Sequence, residues 1–65
     1  MSISNDLRSV RLQKHLTQED LALATGSCSR TIGRIERGER NPSLEVALRL
    51  AECLQVRVED LFRLE

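Results

Sequence analysis

Gly26 splits the stretch TQEDLALATGSCSRTIGRIERGER, residues 17 to 40, into two short helical segments that must meet at a tight turn. Glycine reaches positive φ without steric cost, so it is a natural left-handed stop for the helix before it. On the N-terminal side Thr17 precedes Gln18, Glu19 and Asp20 in a T-x-x-D pattern. This is a weakened capping box in which Asp20 replaces the longer Glu, and it starts a helix whose Leu21 and Ala22 point inward. On the C-terminal side Ser27, Cys28 and Ser29 form the turn, and a helix runs on to Arg37 with Ile32 and Ile35 inward. Gly38 closes that helix as Gly26 closes the one before.

The remaining segments also read as helices. Leu7, Val10 and Arg11 fall at i, i+3, i+4, so Asn5 or Asp6 caps a first helix that reaches about Lys14. After Asn41 and Pro42, Ser43 caps a fourth helix in which Leu44, Ala47, Leu48, Ala51 and Leu54 recur at the helical period. Val56 and Val58 lead into a short fifth helix or turn, with Leu61 and Phe62 directed to the core. No alternating pattern long enough for a strand is evident. The expectation is an all-α fold of five short helices in one domain, residues 1–65, because a chain this short buries only about 60% of its unfolded surface around one modest core.

Composition removes several classes of function. Hydrophobic residues make up 40% of the chain and charged ones 31%, as in a soluble globular domain. No apolar run approaches the roughly 20 residues of a membrane span, and MSISNDLRS has no hydrophobic signal core, so a cytoplasmic protein without membrane contact is expected. Cys28 and Cys53 lack metal-ligand spacing and His15 is the single histidine, so neither a metal site nor a cofactor is expected. No nucleophile-base constellation or phosphate-binding glycine loop appears, which argues against an enzyme. Net charge is zero, but residues 30 to 40 carry four arginines against Glu36 and Glu39, a balance of +2. Residues 45 to 65 carry Arg49, Arg57 and Arg63 against five acids, a balance of −2, so charge is polarised along the chain.

Three collinear motifs, LTQEDLA at 16–22, TIGRIERGERNPSLE at 31–45 and LAECLQVRVEDLF at 50–62, resemble the Cro/repressor-type helix-turn-helix family, also called the xenobiotic-response-element family. The likeness runs from about Leu7 to Phe62 and implies a five-helix lambda-repressor-like domain with its helix-turn-helix at helices 2 and 3. His15 and Gln55 stand where the family usually has helix-ending glycines, and a non-glycine residue at positive φ costs on the order of 1 kcal/mol. Ser27 replaces an apolar turn residue and Cys28 stands at the usual cap of helix 3, leaving the start of that helix open by one residue.

The resemblance implies double-stranded DNA as the partner, with helix 3 in the major groove. Ile32 and Ile35 fix the inner face, so Ser29, Arg30, Gly33, Arg34 and Arg37 point outward, and the family's base-reading positions fall on Ser29, Arg30 and Arg34. Arginine donates two bonds to guanine O6 and N7, so Arg30 and Arg34 suggest guanines in the half-site. Thr17 and Gln18 at the start of helix 2 are phosphate candidates, with Thr31, Arg37, Arg40 and Asn41 as further ones. Gly33 either lets the helix approach DNA closely or is tolerated on an exposed face. The resemblance also pairs Arg11 with Glu36. Cys28 is either a thiol switch beside the DNA face or a small residue filling a turn.

The function so implied is a transcriptional regulator, a repressor, binding an inverted-repeat operator as a homodimer. Val56, Val58, Leu61, Phe62 and Leu64 are more apolar surface than one short helix hides, which puts the expected dimer interface in the last ten residues, with Ile3 and the N-terminal arm beside it. Competing readings are an antitoxin-like module that grips an unidentified protein partner, with DNA binding secondary, and a restriction-modification controller.

Overall fold

A computed structural model describes residues 2–65. Five helices appear where they are expected: α1 (Leu7–Gln13), α2 (Gln18–Thr25), α3 (Ser29–Glu36), α4 (Leu44–Leu54) and α5 (Val58–Leu61). Their ends follow from local chemistry. The Thr17 hydroxyl accepts from the Asp20 N–H at 3.0 Å while Asp20 accepts from the Thr17 N–H at 2.8 Å, a reciprocal capping box. Gly26 ends α2 at φ 71°, Gly38 lies just past α3 at φ 76°, and the Ser43 hydroxyl caps α4 through the Val46 N–H at 3.2 Å. His15 and Gln55 adopt φ of 59° and 58° despite their side chains, so the chain retains the left-handed bends at both family glycine positions.

The Thr17 cap carries a stability prediction. Hydrogen bonds from the Thr17 backbone and then its side chain hold the Asp20 carboxyl below its ordinary range. A carboxylate depressed in the folded state contributes stability above its unfolded pKa and loses it as pH falls through the folded value. Thr17→Ala keeps the backbone bond to Asp20 but removes the hydroxyl that accepts from the Asp20 N–H, so it should destabilise the free protein by about 1 kcal/mol, as checked by urea denaturation at neutral pH.

The core is built from Leu7, Leu21, Ile32, Ile35, Leu50, Leu54 and Leu61, all fully buried, with α2 packed between α3 and α4. On α4 the buried row is Ala47, Leu50, Ala51 and Leu54, while Leu44 and Leu48 are 75% and 52% exposed. The expected row and the observed one share three residues, so periodicity alone did not locate the centre of the stripe.

The chain ends depart from an all-helical reading. Ile3–Asn5 (β1) and Phe62–Leu64 (β2) pair antiparallel, Ile3 with Leu64, Ser4 with Arg63 and Asn5 with Phe62. The Asp6 N–H donates to the Leu61 carbonyl at 2.9 Å and the Glu65 N–H to the Ser2 carbonyl at 2.9 Å, which extend the ladder at both ends. Phe62 is therefore the first residue of a strand, half-buried against the core. Strands of three residues carry no alternation to detect, and each finds its partner at the opposite end of the chain.

Candidate nucleic-acid interface

The outer face of α3 is set by its inner one. Ile32 and Ile35 are sunk into the core, which leaves Arg30 and Arg34, one turn apart, on the opposite side, with Arg30 exposed and Arg34 half-exposed. Ser29 is the first residue of α3 rather than part of the turn, and is half-buried. Cys28 occupies the cap position, where its carbonyl accepts from the Ile32 N–H at 3.2 Å but its side chain makes no capping bond. Its exposed thiol lies 3.3 Å from the Thr31 hydroxyl, and this hydrogen bond holds the thiol below its ordinary pKa.

The C-terminal end of α3 is anchored by Glu36. Arg11 donates to it through Nε at 2.6 Å and Nη2 at 3.2 Å, and its Nη1 donates to the Leu16 carbonyl at 3.0 Å. The Arg11 and Glu36 side chains are only 9% and 3% exposed, so this is an internal ion pair. Gln18 Nε2 donates to Glu36 Oε1 at 3.0 Å. One carboxylate thus joins α1, the start of α2 and the end of α3.

Gly33 is not on an exposed face. It is buried beneath Gln18 and Arg37, and a Cβ there would meet Arg37 Nη1 at 3.2 Å and Gln18 Nε2 at 3.4 Å. The missing side chain leaves space for those two, and all three residues line a pocket of about 220 Å³ together with Arg8, Arg11 and Glu36. The pocket opens beside the N-terminus of α2, where free backbone N–H groups and the helix dipole favour an anion. Among the phosphate candidates Gln18 and Arg37 meet here, while the Thr17 hydroxyl is used by its cap and that of Thr31 contacts Cys28. Arg40 and Asn41 lie exposed in the loop after α3.

Arg8 escaped the sequence reading, which followed only the inward positions of the first helix. Its signal was faint: an outward cation one turn before Arg11.

Pairing resolves the puzzle of zero net charge. At the C-terminal end every arginine is matched: Arg49 by Glu45 at 2.9 Å, Arg57 by Glu59 at 2.7 Å and Arg63 by Asp6 at 2.9 Å. Arg37 is paired with Glu39 at 3.0 Å, on the surface. Among the described residues Arg8, Lys14, Arg30, Arg34 and Arg40 have no acidic partner within 4.0 Å, and all five precede α4. These cations therefore lie on α1, on α3 and in the loops that follow those two helices, while α2 carries the acids Glu19 and Asp20.

The residues expected between copies are distributed unevenly. Leu61 is fully buried and has no surface to offer a partner, because it closes the core under α4. Val56, Val58 and Phe62 are half-buried against that core, and Leu64 is 70% exposed.

A helix-turn-helix family model (HTH_3) matches residues 7–61. An uncharacterized HTH-type transcriptional regulator of Methanocaldococcus jannaschii is 42% identical over 60 residues, spanning 92% of this chain and 91% of that protein. The restriction-modification controller protein C.AhdI of Aeromonas hydrophila is similar with a TM-score of 0.77 and 41% identity, over 83% of this chain and 82% of its own. The clp gene regulator ClgR of Corynebacterium glutamicum is similar with a TM-score of 0.79 and 31% identity, over 83% of this chain and 57% of its own. The family match begins on the first residue of α1 and ends on the last of α5, and the chain belongs to the Cro/repressor-type helix-turn-helix family of DNA-binding proteins.

Proposed function

We propose that the chain is a sequence-specific transcriptional regulator, a repressor, that binds an inverted-repeat operator as a homodimer with α3 in the major groove. The observation that carries this reading is the pair of arginines without acidic partners, Arg30 and Arg34, displayed one turn apart on the face of α3 opposite its buried isoleucines. In this reading Ser29, Arg30 and Arg34 meet base edges. Arg8, Gln18 and Arg37 hold one phosphate at the mouth of their pocket, and Thr17, Thr31, Arg40 and Asn41 meet the flanking backbone. The protein works in the cytoplasm, without cofactor and without a reaction to catalyse. The likeness to a restriction-modification controller favours, as a narrower version, control of a restriction-modification operon.

Two copies must set their α3 helices about 34–36 Å apart to enter successive major grooves. The interface we assign is the outer surface of Val56, Val58, Phe62 and above all Leu64, beside Ile3 across the sheet. Sedimentation at tens of micromolar should give a dimer for the unmodified protein and a folded monomer for Leu64→Glu. The variant should bind the inverted repeat at least about tenfold more weakly, since each half-site then acts alone. Tight binding of the repeat by single unmodified copies would remove the homodimer from the account.

A further inference from the structure

Asn5, the last residue of β1, uses both ends of its carboxamide. Its Oδ1 accepts from the backbone N–H of Leu7, the first residue of α1, at 3.1 Å. Its Nδ2 donates to the backbone carbonyl of Ile35, one residue before the end of α3, at 3.0 Å. That carbonyl already accepts from the Gly38 N–H at 3.0 Å, so it is not an orphan in need of a cap. What the second bond adds is a link between elements 30 residues apart in sequence. The next residue, Glu36, is tied to α1 by Arg11. Neighbouring residues of α3 are thus gripped from β1 through the backbone and from α1 through a side chain. β1 is itself held by β2, and a half-exposed ion pair between Asp6 and Arg63, at 2.9 Å, spans the same two segments.

We propose that Asn5 is a positioning residue for DNA reading: through it the sheet formed by the two chain ends sets the C-terminal end of α3, and with it the tilt of the face that carries Arg30 and Arg34. The inference rests on the reading of α3 as the DNA-reading helix. Only a side chain with a donor and an acceptor at this length makes both bonds. Aspartate keeps the acceptor, places an anion at the N-terminus of α1 where the dipole favours it, and loses the donor to Ile35. If Asn5 served only to start α1, Asn5→Asp would be neutral or stabilising.

The test compares Asn5→Asp and Asn5→Ala with the unmodified chain. Amide hydrogen exchange is followed by NMR in the free protein, and binding is measured to the duplex that the unmodified chain selects from a randomised pool and to a scrambled duplex. Asn5→Asp should keep its helical circular dichroism and its protection in α4, while the amides of Arg37, Gly38 and Glu39 exchange about fivefold faster, the loss of one net hydrogen bond. Affinity for the selected duplex should fall about fivefold, with much less change on the scrambled one. Asn5→Ala should show the same losses together with fraying at the start of α1. Unchanged exchange at residues 37 to 39 would overturn the proposal whatever the DNA result, and faster exchange with unchanged affinity would overturn it too. Should the unmodified chain select no duplex, the assignment of α3 fails on its own, and exchange still decides whether Asn5 sets the helix end.

Discussion

Glu36→Ala should cost about 3–5 kcal/mol of folding stability, because it leaves the Arg11 guanidinium buried without a counter-charge and strips a hydrogen bond from Gln18. A chain of this length holds roughly 3–10 kcal/mol in total, so the variant is expected to be partly unfolded at 37 °C. With about 4–8 °C of thermal midpoint per kcal/mol, the midpoint should fall by at least about 12 °C in calorimetry without DNA. Replacing Arg11 and Glu36 together with methionine should recover much of the loss, since a buried pair stabilises little beyond an apolar substitute. An unchanged midpoint in Glu36→Ala would mean that water screens the pair.

Arg34→Ala carries the second large effect, on recognition instead of folding. Arg34 has no acidic partner and lies away from the core, so its loss should leave the midpoint nearly unchanged. A bidentate contact to guanine is worth about 1–3 kcal/mol of discrimination, so affinity for the selected sequence should fall by roughly 5- to 150-fold and that for scrambled DNA by far less. Gln18→Ala should instead weaken both duplexes alike, as the loss of a phosphate contact does. Equal losses for Arg34→Ala on both would move Arg34 from the base edges to the backbone.

Local chemistry explains which parts of the architecture were legible beforehand. Thr17 with Asp20, Gly26, Gly38 and Ser43 act on backbone groups within four residues of themselves, and each marks a helix end where it was expected. What stayed hidden depends on distant partners. The pairing of Ile3 with Leu64 and the bond from Asn5 to Ile35 join residues with no local pattern in common. Gly33 read as outward by its spacing, yet its burial comes from Gln18 and Arg37 folding over it. Leu61 read both as directed to the core and as interface surface, and only the first holds, because the depth of a core is not visible in a count of apolar residues. Charge balance was legible as a trend along the sequence, but which arginines are left without partners depends on the ion pairs that the fold brings about.

The central claim is that this domain reads DNA sequence, and its most direct test is selection from a randomised duplex pool by the unmodified chain, followed by binding to the enriched sequence as salt is varied. We expect one inverted repeat whose half-site centres lie about 10–10.5 base pairs apart, guanines in each half-site, and affinity that falls steeply with salt. Recovery of no preferred sequence, with equal and weak binding to every duplex, would contradict the account.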